Sequence, residues 1–94
     1  MTRSELISRM AECFPQLLIK DIEVSVREIL ERISQTMVAG RRVEVRGFGS
    51  FGISYRPPRV ARNPKTGAKV MVPGKYTPYF RAGQELRERV DRAD

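Results

Sequence analysis

A chain of 94 residues has room for one small domain and a limited core. It holds no histidine, no tryptophan and one cysteine, which excludes His-based acid–base catalysis, nucleophilic triads and Cys/His zinc sites. No enzyme and no cofactor are expected, and a formal net charge of +7 calls for an anionic partner.

The first predicted element is a helix over Thr2 to Cys13. Thr2-Arg3-Ser4-Glu5 fits a capping box, and Leu6, Ile7, Met10, Ala11 and Phe14 recur at helical spacing on one face. Cys13 reads as a small packing residue beside that face, and Pro15 ends the helix. A second helix is expected from about Leu18 to Ala39, with Ile19, Ile22, Val26, Ile29, Leu30, Ile33 and Met37 in period and Gly40 as its left-handed cap. Glu23 with Arg27 and Glu28 with Arg32 are spaced as exposed ion pairs. The two apolar stripes are too extensive to cover only each other. A dimer seam is the economical explanation, although a sheet could also cover them. The carboxylate pairs Glu28/Glu31 and Glu85/Glu88 fit solvated helix surface and not catalysis.

From Arg41 the period changes to two: Val43 and Val45 alternate with Arg42, Glu44 and Arg46, so one strand face is buried and the other wet. Gly47 to Gly52 turns the chain into a second strand, Ser50 to Arg56, with Phe48 and Phe51 supplying core mass. No helix directly follows this glycine run, so a structural turn outweighs a phosphate cradle. Tyr76 to Arg81 is a third strand, and a short final helix runs from Gln84 to about Arg92. The fold class is α+β: an N-terminal helical hairpin over residues 1–40, a three-stranded antiparallel sheet over 41–56 and 74–82, an arm over 57–73, and a C-terminal helix over 83–94.

The arm organises the rest. Arg59-Val60-Ala61-Arg62 and Lys69-Val70-Met71-Val72 read as two short paired strands. Between them Asn63-Pro64-Lys65-Thr66-Gly67 forms a turn: Pro64 pre-sets φ, Asn63 bonds its following backbone, and Gly67 takes a positive φ. Prolines 57, 58 and 73 mark its ends. Residues 1–44 carry seven basic and seven acidic groups; residues 45–84 carry eight basic groups and no acid. The positive field is therefore local. A segment this charged cannot be core, so it is either a projecting basic ribbon or a solvated surface loop.

Three stretches, Arg46-Gly47-Phe48-Gly49-Ser50-Phe51, Arg62-Asn63-Pro64-Lys65-Thr66-Gly67 and Gly74-Lys75-Tyr76-Thr77-Pro78-Tyr79-Phe80, closely resemble the bacterial HU/integration host factor family of DNA-bending proteins. The similarity spans essentially the whole chain. Arg46 before Gly-Phe-Gly, and the Gly-Lys-Tyr run, are most similar to the β-subunit branch of integration host factor. The resemblance implies an intertwined dimer, either with an integration host factor α-like subunit or with a second copy, on double-stranded DNA. Its arms would enter the minor groove, and Pro64 would wedge into a base step and bend the duplex. Such bending serves recombination, replication and transcription in the cytoplasmic nucleoid. The resemblance assigns DNA contacts to Arg59, Arg62, Asn63, Lys65, Lys69 and Lys75 along the arm, and to Arg56, Arg81 and Gln84 on the body. Arg46 would read the groove beside the kink with Glu44 holding it, and Thr2, Arg3 and Ser4 would clamp phosphates at the first helix N-terminus. Relatives commonly carry Thr-Gly where this chain has Val60-Ala61; an alanine cannot follow glycine into unusual φ/ψ, which leaves the arm's fine geometry open while the tip is expected to survive. The connector from Phe14 to Ile19 is also unusually apolar.

Two rivals stand beside the bending heterodimer. One is a homodimeric, nearly sequence-neutral nucleoid protein of the same fold. The other is an RNA-associated protein threading a basic ribbon into folded RNA. A membrane partner is not expected: no run of about 20 apolar residues occurs, no signal-peptide pattern opens the chain, and the basic ribbon lacks an apolar helix face beside it.

Overall fold

The computed structural model describes residues 1–92 and divides the chain into two compact units, Met1–Gln35 and Thr36–Asp94. Residues 93 and 94, assigned above to the final helix, lie outside the described residues.

The first unit holds α1 (Arg3–Cys13) and most of α2 (Ile19–Val38). Thr2 caps α1: its Oγ1 accepts from the Glu5 backbone N–H at 3.2 Å, and its carbonyl accepts from Leu6. That is one half of the expected capping box. Serines 8, 25 and 34 lie within helices, and each hydroxyl donates to the carbonyl four residues earlier, which satisfies it locally. Both expected ion pairs form, Arg27 to Glu23 at 3.0 Å and Arg32 to Glu28 at 2.8 Å. Gly40 follows α2 with φ 79°.

Burial in this unit is sparse. Ile22 and Val26, one turn apart on α2, are buried, while Ile7, Ala11 and Ile33 are half-buried. Leu18 and Ile19 are 70% and 65% exposed and Ile29 61%, so the apolar face predicted for α2 exists but is largely uncovered. Cys13, expected to pack, is exposed instead. As the last helical residue of α1 it has no following turn to cover it.

The second unit contains β1 (Val43–Val45), β2 (Gly49–Arg56), β3 (Arg59–Arg62), β4 (Lys69–Val72), β5 (Lys75–Ala82) and α3 (Gln84–Arg92). The strands form two separate sheets: three-stranded β1-β2-β5 and two-stranded β3-β4, both antiparallel. The body strands differ by one or two residues from the sequence expectation: β1 starts at Val43 and not Arg41, β2 starts at Gly49, and β5 runs on through Ala82. Pro78 is accommodated because β5 is an edge strand, where a missing N–H is tolerated.

Aromatic rings anchor the three-stranded sheet. Phe80 lies 4.9 Å from Phe51 and 5.3 Å from Phe48, centroid to centroid and tilted, and Tyr55 pairs with Tyr76 at 5.0 Å. These rings replace bulk that the neighbouring glycines lack. Even so, Phe48, Phe80 and Val45 each remain more than two-fifths exposed, so this apolar face too is only partly covered by its own chain.

Phe80→Ala removes the ring shared by both phenylalanine pairs. The expected loss is about 2 kcal/mol, less than for a fully enclosed ring because Phe80 is partly exposed. It should appear as a lower urea midpoint at unchanged slope; an unaltered midpoint would contradict the packing role.

Candidate nucleic-acid interface

Strand register sorts the side chains of the three-stranded sheet onto two faces, because residues opposite each other across an antiparallel pair, and residues two apart along a strand, point the same way. One face carries Val43, Phe51 and Phe80 in a row, then Ile53 opposite Pro78 and Tyr55 opposite Tyr76. The other carries Glu44, Ser50 and Arg81 in a row, then Gly52 opposite Tyr79, Ser54 opposite Thr77 and Arg56 opposite Lys75. The sheet is thus apolar on one side and cationic on the other, with Glu44 the only acid in its three strands.

Glu44 does not hold Arg46, contrary to the expectation. Its Oε1 accepts from Arg42 Nη2 at 2.9 Å, and the same nitrogen donates to Ser50 Oγ at 3.3 Å. Arg42 and Arg46 are equally spaced from Glu44 in sequence, but Arg46 has already entered the turn closed by the Phe48 N–H to the Val45 carbonyl. Arg46 has no ion-pair partner among the described residues. The Arg42–Glu44 pair is exposed, so its effect is orientation more than stability. Arg42 was absent from the sequence-derived site. The period-two run Arg42, Glu44, Arg46 is the signal that marks it.

The ribbon matches its predicted strands residue for residue, with Arg59 opposite Val72, Val60 opposite Met71, Ala61 opposite Val70 and Arg62 opposite Lys69. It bonds as a sheet only to itself. Of its strand residues only Ala61 and Val72 are half-buried, and the rest are exposed. The tip is locked by short bonds: Asn63 Oδ1 accepts from Lys65 N–H at 2.9 Å, the Asn63 carbonyl accepts from Gly67 N–H at 2.7 Å, and Asn63 N–H donates to the Ala68 carbonyl at 2.8 Å. Gly67 has φ 72°, a left-handed value that a side chain would strain. The turn displays Pro64 and Lys65 to solvent. Arg62 folds back, donating through Nη1 to the Gly67 carbonyl at 3.4 Å, so it braces the tip as well as charging it.

The remaining predicted residues fall in separate places. Arg56 and Lys75 face each other where the sheet gives way to the ribbon. Arg81 lies over the Tyr79 ring, its Cζ 5.0 Å from the centroid. Gln84 opens α3 with its amide donating to Glu88 at 3.2 Å. In the first unit, Thr2 caps α1 and Arg3 and Ser4 follow it, with backbone N–H groups that have no intrahelical acceptor. Among the described residues no cluster of His, Cys, Asp or Glu could hold a metal ion, and no helix is long and apolar enough to cross a membrane.

A cationic sheet face, continued by a self-bonded basic ribbon, defines a protein built around a polyanion and not around a small-molecule cavity. The family described as bacterial DNA-binding protein matches residues 1–91, and this chain belongs to it, within the HU/integration host factor group. Integration host factor subunit beta of Dechloromonas aromatica (strain RCB) is 60% identical over 93 residues, covering 99% of each chain. The subunit of the same name from Azoarcus sp. (strain BH72) is 59% identical over 91 residues, 97% of each. Among solved structures, an Anabaena HU–DNA cocrystal structure superposes with a TM-score of 0.87 at 34% identity, covering 99% of this chain and 100% of that one. HU from Thermotoga maritima gives 0.65 at 28% identity, covering 96% and 98%.

Lys69→Ala is expected to weaken duplex binding alike for all sequences and to lower the slope of log affinity against log salt by about one. Fluorescence anisotropy across a salt series measures both. A sequence-dependent loss at constant slope would mean that Lys69 contacts a base edge.

Proposed function

We propose that this chain is the β-type subunit of a heterodimer that bends duplex DNA through its minor groove, with Pro64 as the wedge. The observation that carries this reading is the ribbon itself: bonded only to its own two strands, free of acid, and closed by a locked turn that presents a proline. Proline suits a base step because it offers a compact apolar ring and no N–H donor to leave unsatisfied. Unstacking one step costs about a few kcal/mol in minor-groove wedge proteins, this family among them, and contacts along the wrapped duplex offset it. Arg59, Arg62, Asn63, Lys65 and Lys69 supply those contacts on the ribbon. Arg56, Lys75, Arg81 and Gln84 supply them beside it, and Thr2, Arg3 and Ser4 clamp a flanking phosphate. Arg46 has no ion-pair partner among the described residues, and a guanidinium is weakly hydrated, properties that favour a narrow, strongly negative groove. Glu44 acts indirectly, through Arg42.

The uncovered apolar surfaces support the dimer. Val24, Ile29 and Leu30 on α2, and Val45, Phe48 and Phe80 in the second unit, are the groups a second subunit would bury in an intertwined body. Residues 1–40 would then serve dimerisation, 57–73 would be the arm, and the assembly would work in the cytoplasmic nucleoid in recombination, replication and transcription. The likeness to HU structures supports a second reading, a homodimer that binds with little sequence preference. Competition between a specific and a random duplex tests the sequence preference that divides the two; equal affinities would reject the sequence-selective reading.

Pro64→Ala should reduce the bend angle, measured by energy transfer between duplex ends, while most of the affinity survives. An unchanged bend would contradict the wedge.

A further inference from the structure

We propose that Gly52, Tyr79 and Arg81 form a cross-strand stack that holds a guanidinium ready for a phosphate, with Tyr79 as a positioning residue. This rests on the reading that the cationic face of the sheet meets the duplex. Tyr79 on β5 stands directly opposite Gly52 on β2, and Arg81, two residues further along β5, shares that face. The ring occupies space that any other residue at position 52 would need: a Cβ there would stand 2.5 Å from the Tyr79 hydroxyl oxygen and 2.7 Å from its Cζ. Gly52 has no positive φ, so the backbone does not demand glycine at this position. The ring does.

On a face of arginines, lysines and small hydroxyl residues, Tyr79 is the single aromatic surface. The Arg81 guanidinium, 5.0 Å from its centroid, can use its flat side on the ring and keep its in-plane N–H donors for phosphate oxygens. Arg81 has no carboxylate partner among the described residues. Orientation here costs no charge, unlike at Arg42, where Glu44 supplies it and cancels a charge. A side chain already held in place loses less rotamer freedom when it binds.

The test is a double-mutant cycle on the assembled protein, with duplex affinity read across a salt series and thermal unfolding as the folding control. Tyr79→Phe should bind as the unaltered protein does. Tyr79→Leu should weaken binding roughly two- to five-fold, the scale of an exposed cation–π contact, at nearly constant salt slope. Arg81→Gln should lose more and lower the slope by about one. In the Arg81→Gln background, Tyr79→Leu should add nothing. Gly52→Ala keeps both side chains and removes only the space for the ring, so it should match Tyr79→Leu. The proposal is overturned if Tyr79→Leu binds normally, if its penalty persists without Arg81, or if Tyr79→Phe is equally damaging. Were Arg81→Gln itself silent in affinity and slope, the reading of the sheet face would fall together with the stack.

Discussion

Eight cations without a single acid across residues 45–84 cannot be packed against protein. Burying one unpaired charge is prohibitive, and eight of one sign repel each other as well. The chain meets this constraint by geometry. The strand period sends the charges in the sheet to one face and every strand aromatic but Tyr79 to the other, and the ribbon between β2 and β5 keeps its charges wet by pairing only with itself. In a family that binds DNA the phosphates supply the counter-charge from outside, so much of what would be electrostatic frustration in the free chain becomes affinity in the complex.

Beside the three-stranded sheet and on the ribbon, three cations are restrained before any partner arrives, each by a different device. Arg42 is held by the Glu44 carboxylate, Arg62 by the Gly67 carbonyl at the tip, and Arg81 by the Tyr79 ring. Arg46, Arg56, Arg59, Lys65, Lys69 and Lys75 make no ion pair among the described residues. We propose that this division separates jobs: the held groups favour geometric precision, and the free ones, Arg46 apart, give long-range attraction that tolerates any sequence.

Most of the secondary structure was legible in the sequence because its signals are local. Thr2 as a cap, the 3.6 period of α2, the alternation from Val43 and the Asn-Pro-Lys-Thr-Gly turn each depend on neighbours within a few residues. What escaped depends on register or surroundings. Sequence spacing could not decide whether Glu44 turns to Arg42 or Arg46, since both are two residues away; the turn beginning at Arg46 decides it. Arg42 lies before Glu44, outside the acid-free stretch that begins at Val45, so charge alone does not mark it. The relation of Gly52 to Tyr79 joins residues 27 apart and exists only once β2 and β5 are aligned. Exposure at Cys13, Leu18 and Ile19 was hidden for a related reason: apolar periodicity shows which face wants cover, not what provides it.

We propose that the self-paired ribbon of residues 57–73 embraces the duplex. Amide hydrogen exchange on the assembled protein, with and without duplex DNA, addresses it directly. In the free protein the ribbon amides that face away from the partner strand should exchange fast, and duplex should slow those in residues 59–72 by about tenfold or more. Protection confined to the rest of the protein, with ribbon exchange unchanged by DNA, would contradict the account.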